Sequence, residues 1–333
     1  MLLLLIGCAA APDVFDEFWQ AIDRGYGPFS ERLPEGRTWE DIGEDWRAEV
    51  SNDLSGDALF DVLIGMAGEL DDGHTNLSAF WLGRDEDAWV SAYPHLDALE
   101  DLGGITDTTH LDTVDGSAGR GRIVWGRISG VGYVRIEEME GFTTLRQEDR
   151  DAEAAGEALD EALADLSGTS GLIIDVRANG GGWDAVSVAL ASRFTDEATL
   201  AWEKQSRNGL DHDDFTDWKA QHLSPAQAWS GPVVVLTSGA TFSAAETFVL
   251  AMSALPDVTL LGEPTSGHLS DMADGSLSNG WDYTLSSDRY RSATRQLYEG
   301  VGIPVNVAVD LDADTLFSGG TDAMLVEAVG LLE

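Results

Sequence analysis

A serine at the start of a predicted helix is the first residue in this sequence that could do covalent chemistry. Ser243 lies in "LTSGATFSAAETFVLAM", where an apolar, strand-like run, "PVVVL", gives way to a helical pattern. A serine in the first turn of a helix is usually an N-cap. The same position also offers a partial positive charge and backbone amides, such as the Ala244 N–H, to a developing oxyanion. Ser243 is therefore either a helix cap or a nucleophile.

Three consecutive glycines form a second candidate site. They occupy residues 180–182 and follow an apolar run in "IIDVRANGGGW". Glycine lets the backbone turn sharply and bring bare amides to a ligand, so Gly180 or Gly181 could supply half of an oxyanion hole. A flexible strand-to-helix turn explains the same glycines without any chemistry. A phosphate-cradling loop is excluded, because the GKS or GKT ending is absent.

A nucleophilic serine needs a base, and the sequence has six histidines. Most of them lie in acidic loops, where surface positions are expected. His74 differs, because "ELDDGHTNLSAFWL" places it at a break between a helix and a strand with apolar residues on both sides. A structural histidine fits that position equally well.

The elements that would position these residues alternate between strands and helices from residue 131 onward. Strands are predicted at 131–137, 171–177, 232–237 and 258–262. The segments between them include the amphipathic helices "AEAAGEALDEALADL", "DAVSVALASRF" and "SAAETFVLAMSAL". Apolar strands joined by helices predict an α/β fold with a largely parallel sheet covered on both faces. Sites in such sheets lie at the carboxyl ends of the strands, where Gly180 and Ser243 both fall.

The rest of the chain predicts a modular organisation. Residues 13–82 carry apolar side chains at spacings of three and four, which indicates a small helical N-terminal subdomain. Residues 83–127 are rich in Asp and Gly and are expected to form an irregular connector, too short for an inserted PDZ domain. Residues 128–333 then form the core. The stretch "WDYTLSSDRYRSATRQLYEGVGIPVNVAV" is expected to add antiparallel pieces to it.

The charge balance excludes one class of partner. The 333 residues contain 60 Asp and Glu against 19 Lys and Arg, a formal net charge of -41 spread along the whole length. Nucleic-acid binding needs a basic face, so a nucleic-acid partner is not expected. An acidic, highly hydrated surface is typical of a secreted or salt-adapted protein.

The first residues indicate export. Residues 1–12 form a short apolar leader, which is far too short to span a bilayer. "LIGC" resembles a bacterial lipobox, which would make Cys8 a lipidation site and a tether to a membrane, although the usual positive residues before the apolar run are missing. Cys8 is the only cysteine, so no intrachain disulfide can form. The expected location is the bacterial cell envelope or the exterior.

Several motifs in a fixed order resemble one known family. "LIIDVRANGGG", "VVLTSGATFSAAETF", "LLGEPTSG" and "YEGVGIP" together resemble the C-terminal-processing, or tail-specific, serine peptidases. "ELDDGHT" after a helical segment resembles the branch that contains the tricorn core protease and interphotoreceptor retinoid-binding protein. The resemblance covers roughly residues 14–310. It implies a ClpP/crotonase-like core with a helical N-terminal subdomain, serine peptidase activity on peptide or protein substrates, and no metal or organic cofactor.

By position, the resemblance assigns roles to the candidate residues. It marks Ser243 as the nucleophile, His74 as the general base and Glu299, in "YEGVG", as the acid that orients the base. The amides of Ala244 and of Gly180 or Gly181 would form the oxyanion hole.

The choice of base departs from the tail-specific branch. That branch has a lysine just after "GEPT-G", where this sequence has His268. The only lysines are Lys204 and Lys219, which lie elsewhere in the sequence. A Ser–Lys dyad of that type is therefore excluded, and His268 is a reserve candidate for the base behind His74.

A second departure concerns the acid. Gly73 stands where the tricorn-like pattern has a serine between the histidine and the glutamate. Glu299 would then have to reach His74 directly or through water, or Asp71 or Asp72 would take over its role.

Two other functions fit the same resemblance. The retinoid-binding branch indicates a protein that binds an apolar ligand without evident proteolysis, and several tryptophans could line its pocket. They are Trp81, Trp89, Trp125, Trp183 and Trp229. Core packing is the commoner use of such residues. An esterase with the same three catalytic residues is the other alternative.

Overall fold

The structure of the protein is a computed structural model that describes residues 10–89, 93, 99, 101–145, 147–226 and 228–333. Cys8, most of the predicted leader and His95 lie outside the described residues. The chain forms two compact units. Unit 1 consists of Met1–Ala92, Gln205–Trp218 and Ser270–Arg289, and unit 2 consists of Tyr93–Lys204, Lys219–Leu269 and Tyr290–Glu333.

The described residues form ten α-helices and fourteen strands. The helices are α1 (Ala11–Gly25), α2 (Phe29–Arg32), α3 (Trp39–Arg47), α4 (Gly56–Gly68), α5 (Leu102–Ile105), α6 (Glu148–Asp165), α7 (Asp184–Ala191), α8 (Ala244–Ser253), α9 (Ala313–Phe317) and α10 (Ala323–Leu332). The strands are β1 (Asp72–Ala79), β2 (Arg84–Ala88), β3 (Thr113–Ala118), β4 (Ile123–Ile128), β5 (Val131–Ile136), β6 (Leu172–Asp175), β7 (Thr199–Ser206), β8 (Lys219–Leu223), β9 (Val233–Thr237), β10 (Val258–Gly262), β11 (Met272–Ser276), β12 (Asp282–Ser286), β13 (Asp288–Ser292) and β14 (Val307–Ala308).

Unit 1 packs helices α1 to α4 with a four-stranded antiparallel sheet in the order β11-β12-β1-β2. The apolar face of α1 is buried as its spacing predicts, through Val14, Phe15, Phe18 and Ile22. A capping box begins α3, since the Thr38 side chain accepts from the Asp41 N–H and the Asp41 carboxylate accepts from the Thr38 N–H. The helical segment predicted from the sequence is therefore present.

Unit 1 also contains a sheet whose pairing the sequence pattern did not indicate, although a strand after His74 and antiparallel pieces in the stretch of β12 were predicted. Strand β1 begins at Asp72, so His74 lies on a strand rather than at the predicted break. Residues 80–82, predicted as strand, form a single 3-10 turn. Two of the four strands, β11 and β12, come from the stretch 270–289, nearly 200 residues later in the chain. The local spacing of apolar residues cannot show that segments so far apart in the sequence pair as strands, because tertiary contacts decide strand pairing.

Unit 2 is built on a seven-stranded sheet in the order β14-β10-β9-β6-β5-β4-β3. Strands β5, β6, β9, β10 and β14 run parallel, and β3 and β4 add an antiparallel edge. The four strands and three helices predicted between residues 131 and 262 are all present. The fold class predicted from the sequence, a mostly parallel α/β core preceded by helices, is confirmed. A smaller sheet joins β13, β7 and β8.

Both faces of the large sheet are covered, which explains its continuous apolar strands. Ile174 and Val235 point into the cluster formed with helices α6, α7 and α8. The alternate residues Ile173 and Val234 pack with α10, through Met324 and other side chains. The carboxyl ends of β5, β6, β9 and β10 lie at one edge of this covered sheet, because the four strands are parallel.

Two predictions about the flanks of the core differ from the structure. Strands β2 and β3, and β4 except its last residue, lie within the stretch 83–127 that was expected to be an irregular connector. Strand β3 lies at a sheet edge and its residues are mostly exposed, so it does not need the apolar residues by which a strand is recognised in a sequence. The stretch "GIPVNVAV" was expected to be antiparallel, whereas β14 pairs with β10 in parallel, Leu261 opposite Val307.

Candidate active site

Ser243 lies at the junction between strand β9 and helix α8. Its backbone has φ 56° and ψ -126°, a conformation outside the left-handed helical region and rarely adopted by a residue with a side chain. Such strain costs about 1–3 kcal/mol and concentrates at functional sites. A serine on a strained strand-to-helix turn is the arrangement that exposes a nucleophilic hydroxyl in hydrolases. The sequence lacks the G-x-S-x-G signature, but the backbone makes a comparable turn.

The turn that carries Ser243 is tied to the end of the neighbouring strand β6. Ser238 donates its hydroxyl to the Arg177 carbonyl at 2.6 Å, and Thr241 donates to the Val176 carbonyl at 3.0 Å. The Phe242 N–H donates to the Asn179 carbonyl at 3.1 Å. These three bonds hold the strained residue in place, which is what a preorganised site requires.

The glycine turn packs directly against Ser243. Gly181 has φ +103°, and a Cβ built on it would stand 2.6 Å from the Ser243 Cβ and 3.0 Å from the Ala244 nitrogen. Because no side chain fits there, glycine at this position lets the two turns approach each other. The structure therefore brings the glycine motif and the serine motif together at the carboxyl edge of the sheet.

The structure also distinguishes between the two candidate glycine donors. The Gly181 N–H is already engaged, since it donates to the Asn179 side-chain oxygen at 2.9 Å. In the described part of the chain, the N–H groups of Gly180 and Ala244 have no protein acceptor. Gly180 and Ala244 are therefore the better pair of donors for an oxyanion.

Alanine substitutions at Gly180 and Gly181 are expected to have different effects on activity and stability. Gly181→Ala should lower kcat/KM by about 10²-fold, because its methyl group would displace Ser243 by about 1 Å. It should also destabilise the fold by about 1–3 kcal/mol through the unfavourable φ. Gly180→Ala is the matched control, since its Cβ would meet only the Glu138 carboxylate, at an ordinary 3.7 Å. Peptidase kinetics and thermal unfolding of both variants test this, and equal losses would contradict the assigned geometry.

The Glu246 side chain holds the start of helix α8 through hydrogen bonds. Its fully buried carboxylate accepts the Ser243 N–H at 3.3 Å and the His268 N–H at 2.7 Å on one oxygen. The other oxygen accepts the Thr265 hydroxyl at 2.6 Å and the Gly267 N–H at 2.7 Å. Burial raises the pKa of Glu246 to about 7, against the lowering effect of these donors. The carboxylate thus joins the turn that carries Ser243 to the 265–268 loop.

The backbone of the reserve base, His268, lies close to that of Ser243 in space, because the N–H groups of both residues donate to the same Glu246 oxygen. Its ring is buried and stacks on Phe242 with centroids 4.8 Å apart. Its Nδ1 is 2.8 Å from the Ser266 hydroxyl. The predicted acid, Glu299, is buried in the same unit and accepts the Leu269 N–H at 2.9 Å.

The predicted base, His74, lies in unit 1, on a stretch of β1 where the pairing with β2 is irregular between Asp72 and Asn76. Such irregularities often aim a side chain. The His74 N–H donates to the Asp72 carboxylate at 2.9 Å, and Asp72 also accepts from the Tyr26 hydroxyl at 2.7 Å. Burial is the largest effect on the pKa of His74 and holds it below its usual value. The Asp72 charge raises this pKa, the Arg32 charge lowers it and the Asp271 charge raises it, but the net shift is downward.

The tryptophans proposed for an apolar pocket include core residues. In unit 2, the Trp125 and Trp229 side chains are buried, and their indole N–H groups donate to Asp165 and to the Gly231 carbonyl. Trp229 also lines a cavity of about 300 Å³. Trp81, in unit 1, is 80% exposed.

Two residues of this site were not identified from the sequence. Glu246 stands three residues after Ser243, and S-x-x-E is the capping-box pattern, so a local signal was present. Asn179 orients the Gly181 amide and also donates to the Ile136 carbonyl at 3.0 Å. Nothing in the sequence distinguishes Asn179 from an ordinary turn residue.

Two other kinds of functional feature are absent from the described residues. No group of three or more His, Cys, Asp or Glu side chains among them could hold a metal ion. Among the helices of the described ranges, none has the length and apolar character needed to cross a membrane.

Comparison with known proteins places the chain in a family. The model described as Peptidase family S41 matches residues 130–309, more than half of the chain. The chain belongs to peptidase family S41. This confirms the resemblance to C-terminal-processing peptidases. The matched residues carry the glycine turn, Ser243, Glu246, His268 and Glu299.

Three known proteins illustrate what this S41 member is similar to. It is 24% identical over 180 residues to the carboxy-terminal processing protease CtpA of Bacillus subtilis; the match covers 51% of this chain and 37% of that protein. Its structure is similar to a putative peptidase from Parabacteroides merdae, with TM-score 0.81, 29% identity and 97% of both chains covered. It is also similar to mature CPAF in complex with lactacystin, with TM-score 0.69, 13% identity and 98% of both chains covered.

The structural neighbours extend the result for the fold. Likeness over almost the full length of two solved chains confirms the ClpP-like core with helices before it. The chain spans well under two thirds of the curated relative that it matches. The tricorn-like or retinoid-binding branch stays a prediction.

Proposed function

We propose that this S41 family member is a serine peptidase that cleaves peptide bonds through an acyl-enzyme, with Ser243 as the nucleophile. The observation that carries the proposal is the strained backbone of Ser243 at φ 56°, beside two N–H groups that have no protein acceptor in the described part of the chain. Strain of this kind is retained where function requires it. A plain helix cap would not need it.

In the first half of the reaction, Ser243 Oγ forms a bond to the scissile carbonyl carbon while His74 takes the hydroxyl proton. The carbonyl π-electrons move onto oxygen, and the N–H groups of Gly180 and Ala244 stabilise that negative charge. The C–N bond then breaks, and the His74 imidazolium gives its proton to the leaving amine. Water, activated by the same histidine, hydrolyses the acyl-enzyme and restores Ser243.

The roles of His74 and Glu299 in this proposal come from the sequence resemblance. Glu299 orients the base and favours its protonated form. His268 is the alternative base, and its backbone proximity to Ser243 supports keeping it as one. No step requires a metal or organic cofactor. The proposed substrates are peptides or proteins, and the proposed location is outside the cytoplasm, with Cys8 as a candidate lipid anchor.

A fluorophosphonate probe tests the nucleophile and the base together. We expect labelling at Ser243, with a rate that falls on acidification only below the ordinary titration range of histidine. Burial lowers the pKa of His74, so the imidazole stays neutral and able to accept a proton at lower pH than a solvent-exposed histidine does. His74→Ala should abolish labelling, whereas the exposed His222→Ala should not.

Each alternative gives a different result in that experiment. A protein that only binds an apolar ligand would not be labelled, which would overturn the proposal. If His74→Ala kept its labelling rate while His268→Ala lost it, His268 would be the base. Parallel assays with peptide and ester substrates separate a peptidase from an esterase.

A further inference from the structure

An acidic side chain with no role in the reaction lies beside the glycine turn. Glu138 follows the carboxyl end of β5, and its side chain is partly buried. Its Oε2 atom is 3.7 Å from the point where a Cβ on Gly180 would stand. The carboxylate is thus next to the glycine whose amide is the proposed oxyanion donor.

Backbone contacts fix the segment of Glu138 against the catalytic turn. The Met139 N–H donates to the Gly181 carbonyl at 2.7 Å, and the Trp183 N–H donates to the Met139 carbonyl at 2.9 Å. A Cβ on Gly182 would stand 2.5 Å from the Met139 carbonyl carbon, so the two segments are in close contact. On its other side the same turn contacts Ser243. A single glycine turn therefore separates Glu138 from the nucleophile.

Glu138 differs from its neighbours in its lack of a partner. In the described part of the chain it makes no hydrogen bond or ion pair. The adjacent Glu137, by contrast, accepts from the Arg135 side chain at 2.7 Å. Burial raises the pKa of Glu138, the Arg122 charge lowers this pKa, and the Glu140 and Glu137 charges raise it. A carboxylate partly withdrawn from water costs free energy, which a bound cation would recover.

We propose that Glu138 determines substrate specificity by binding the cationic side chain of a lysine or arginine near the scissile bond. This inference rests on the proposed peptidase function and names its substrate class. An organic cation fits better than a metal ion, since no candidate metal cluster occurs among the described residues. The net charge of -41 would in addition raise the local concentration of basic peptides.

Quenched fluorescent peptides that differ at one position near the scissile bond test the proposal. The position carries lysine, the uncharged norleucine or glutamate. For the wild type we expect kcat/KM to be about tenfold higher with lysine than with norleucine, a ratio that falls as salt screens the charges. Glu138→Gln should bring the ratio close to one, because the lysine peptide loses its charged contact. Glu161→Gln on α6 removes the same charge at an exposed site and should keep the wild-type ratio.

Charge reversal gives a readout that a structural role would not produce. Glu138→Lys should prefer the glutamate peptide over the lysine peptide. If the wild type cleaves all three peptides equally, or if Glu138→Gln slows all of them equally, the inference is overturned while the peptidase function stands. If the wild type cleaves none and the fluorophosphonate probe leaves Ser243 unlabelled, the proposed function fails and the inference fails with it.

Discussion

Ser243→Ala is expected to lower kcat by about 10⁴- to 10⁶-fold while the protein stays folded. Alanine removes the hydroxyl that forms the acyl-enzyme but keeps the proposed donors Gly180 and Ala244, so a small residual rate above that in water should remain. Peptide hydrolysis by purified wild type and variant measures the loss. Ser253→Ala, at the other end of α8, is the matched control and should keep its activity, since its hydroxyl only donates to the Leu250 carbonyl.

The strain at Ser243 provides a second readout for the same residue. Ser243→Gly should be as inactive as Ser243→Ala but more stable by about 1 kcal/mol, because glycine adopts φ 56° at little cost. Thermal or urea unfolding compares the two. An active Ser243→Ala would remove the nucleophile assignment. Equal stability of the alanine and glycine variants would instead show that the turn is not strained.

Arg177→Met is expected to destabilise the protein by about 3–5 kcal/mol. Arg177 is fully buried and donates to Asp175 at 2.6 Å and to Asp322 at 2.8 Å. The Tyr133 hydroxyl donates to the same Asp175 at 2.9 Å. Methionine would leave two buried carboxylates without their cation. Urea unfolding at neutral pH measures the loss. Arg150→Met, which affects an exposed pair with Glu153 at 3.7 Å, should change stability by less than about 0.5 kcal/mol.

The pH dependence of that loss follows from the same contacts. Arg177 and hydrogen bonds hold the pKa of Asp175 below its ordinary value despite burial. In the wild type this contributes stability above the unfolded pKa, and the contribution is lost as the pH falls through the folded pKa. In Arg177→Met the Asp175 carboxylate no longer has its cation and can take up a proton on acidification. The difference in the free energy of unfolding between the variant and the wild type should therefore become smaller at acidic pH. A difference that does not change with pH would show that lost packing causes the destabilisation.

Much of the fold and the position of the candidate nucleophile follow from local patterns. Apolar runs of five or six residues separated by amphipathic helices are enough to predict β5, β6, β9 and β10 and the helices between them. Parallel strands place their carboxyl ends at one edge, so local patterns alone predict that the glycine turn and Ser243 share that edge. The order of the motifs indicates the family, which the S41 match confirms.

The remaining features depend on contacts between distant residues. Arg177 and Asp322 are 145 positions apart, and the sheet of unit 1 takes two strands from residues 270–289. The sequence gives no reason to prefer Gly180 or Gly181 as an oxyanion donor. Only the hydrogen bond from the Gly181 N–H to the Asn179 side chain distinguishes their proposed roles. The sequence by itself determined the α/β class, the family and the candidate serine, because these depend on local periodicity and motif order. Tertiary structure decided the strained backbone of Ser243, the N–H groups of the proposed donor pair, which are free in the described part of the chain, and the placement of Glu138, because those depend on how turns from different strands pack against one another.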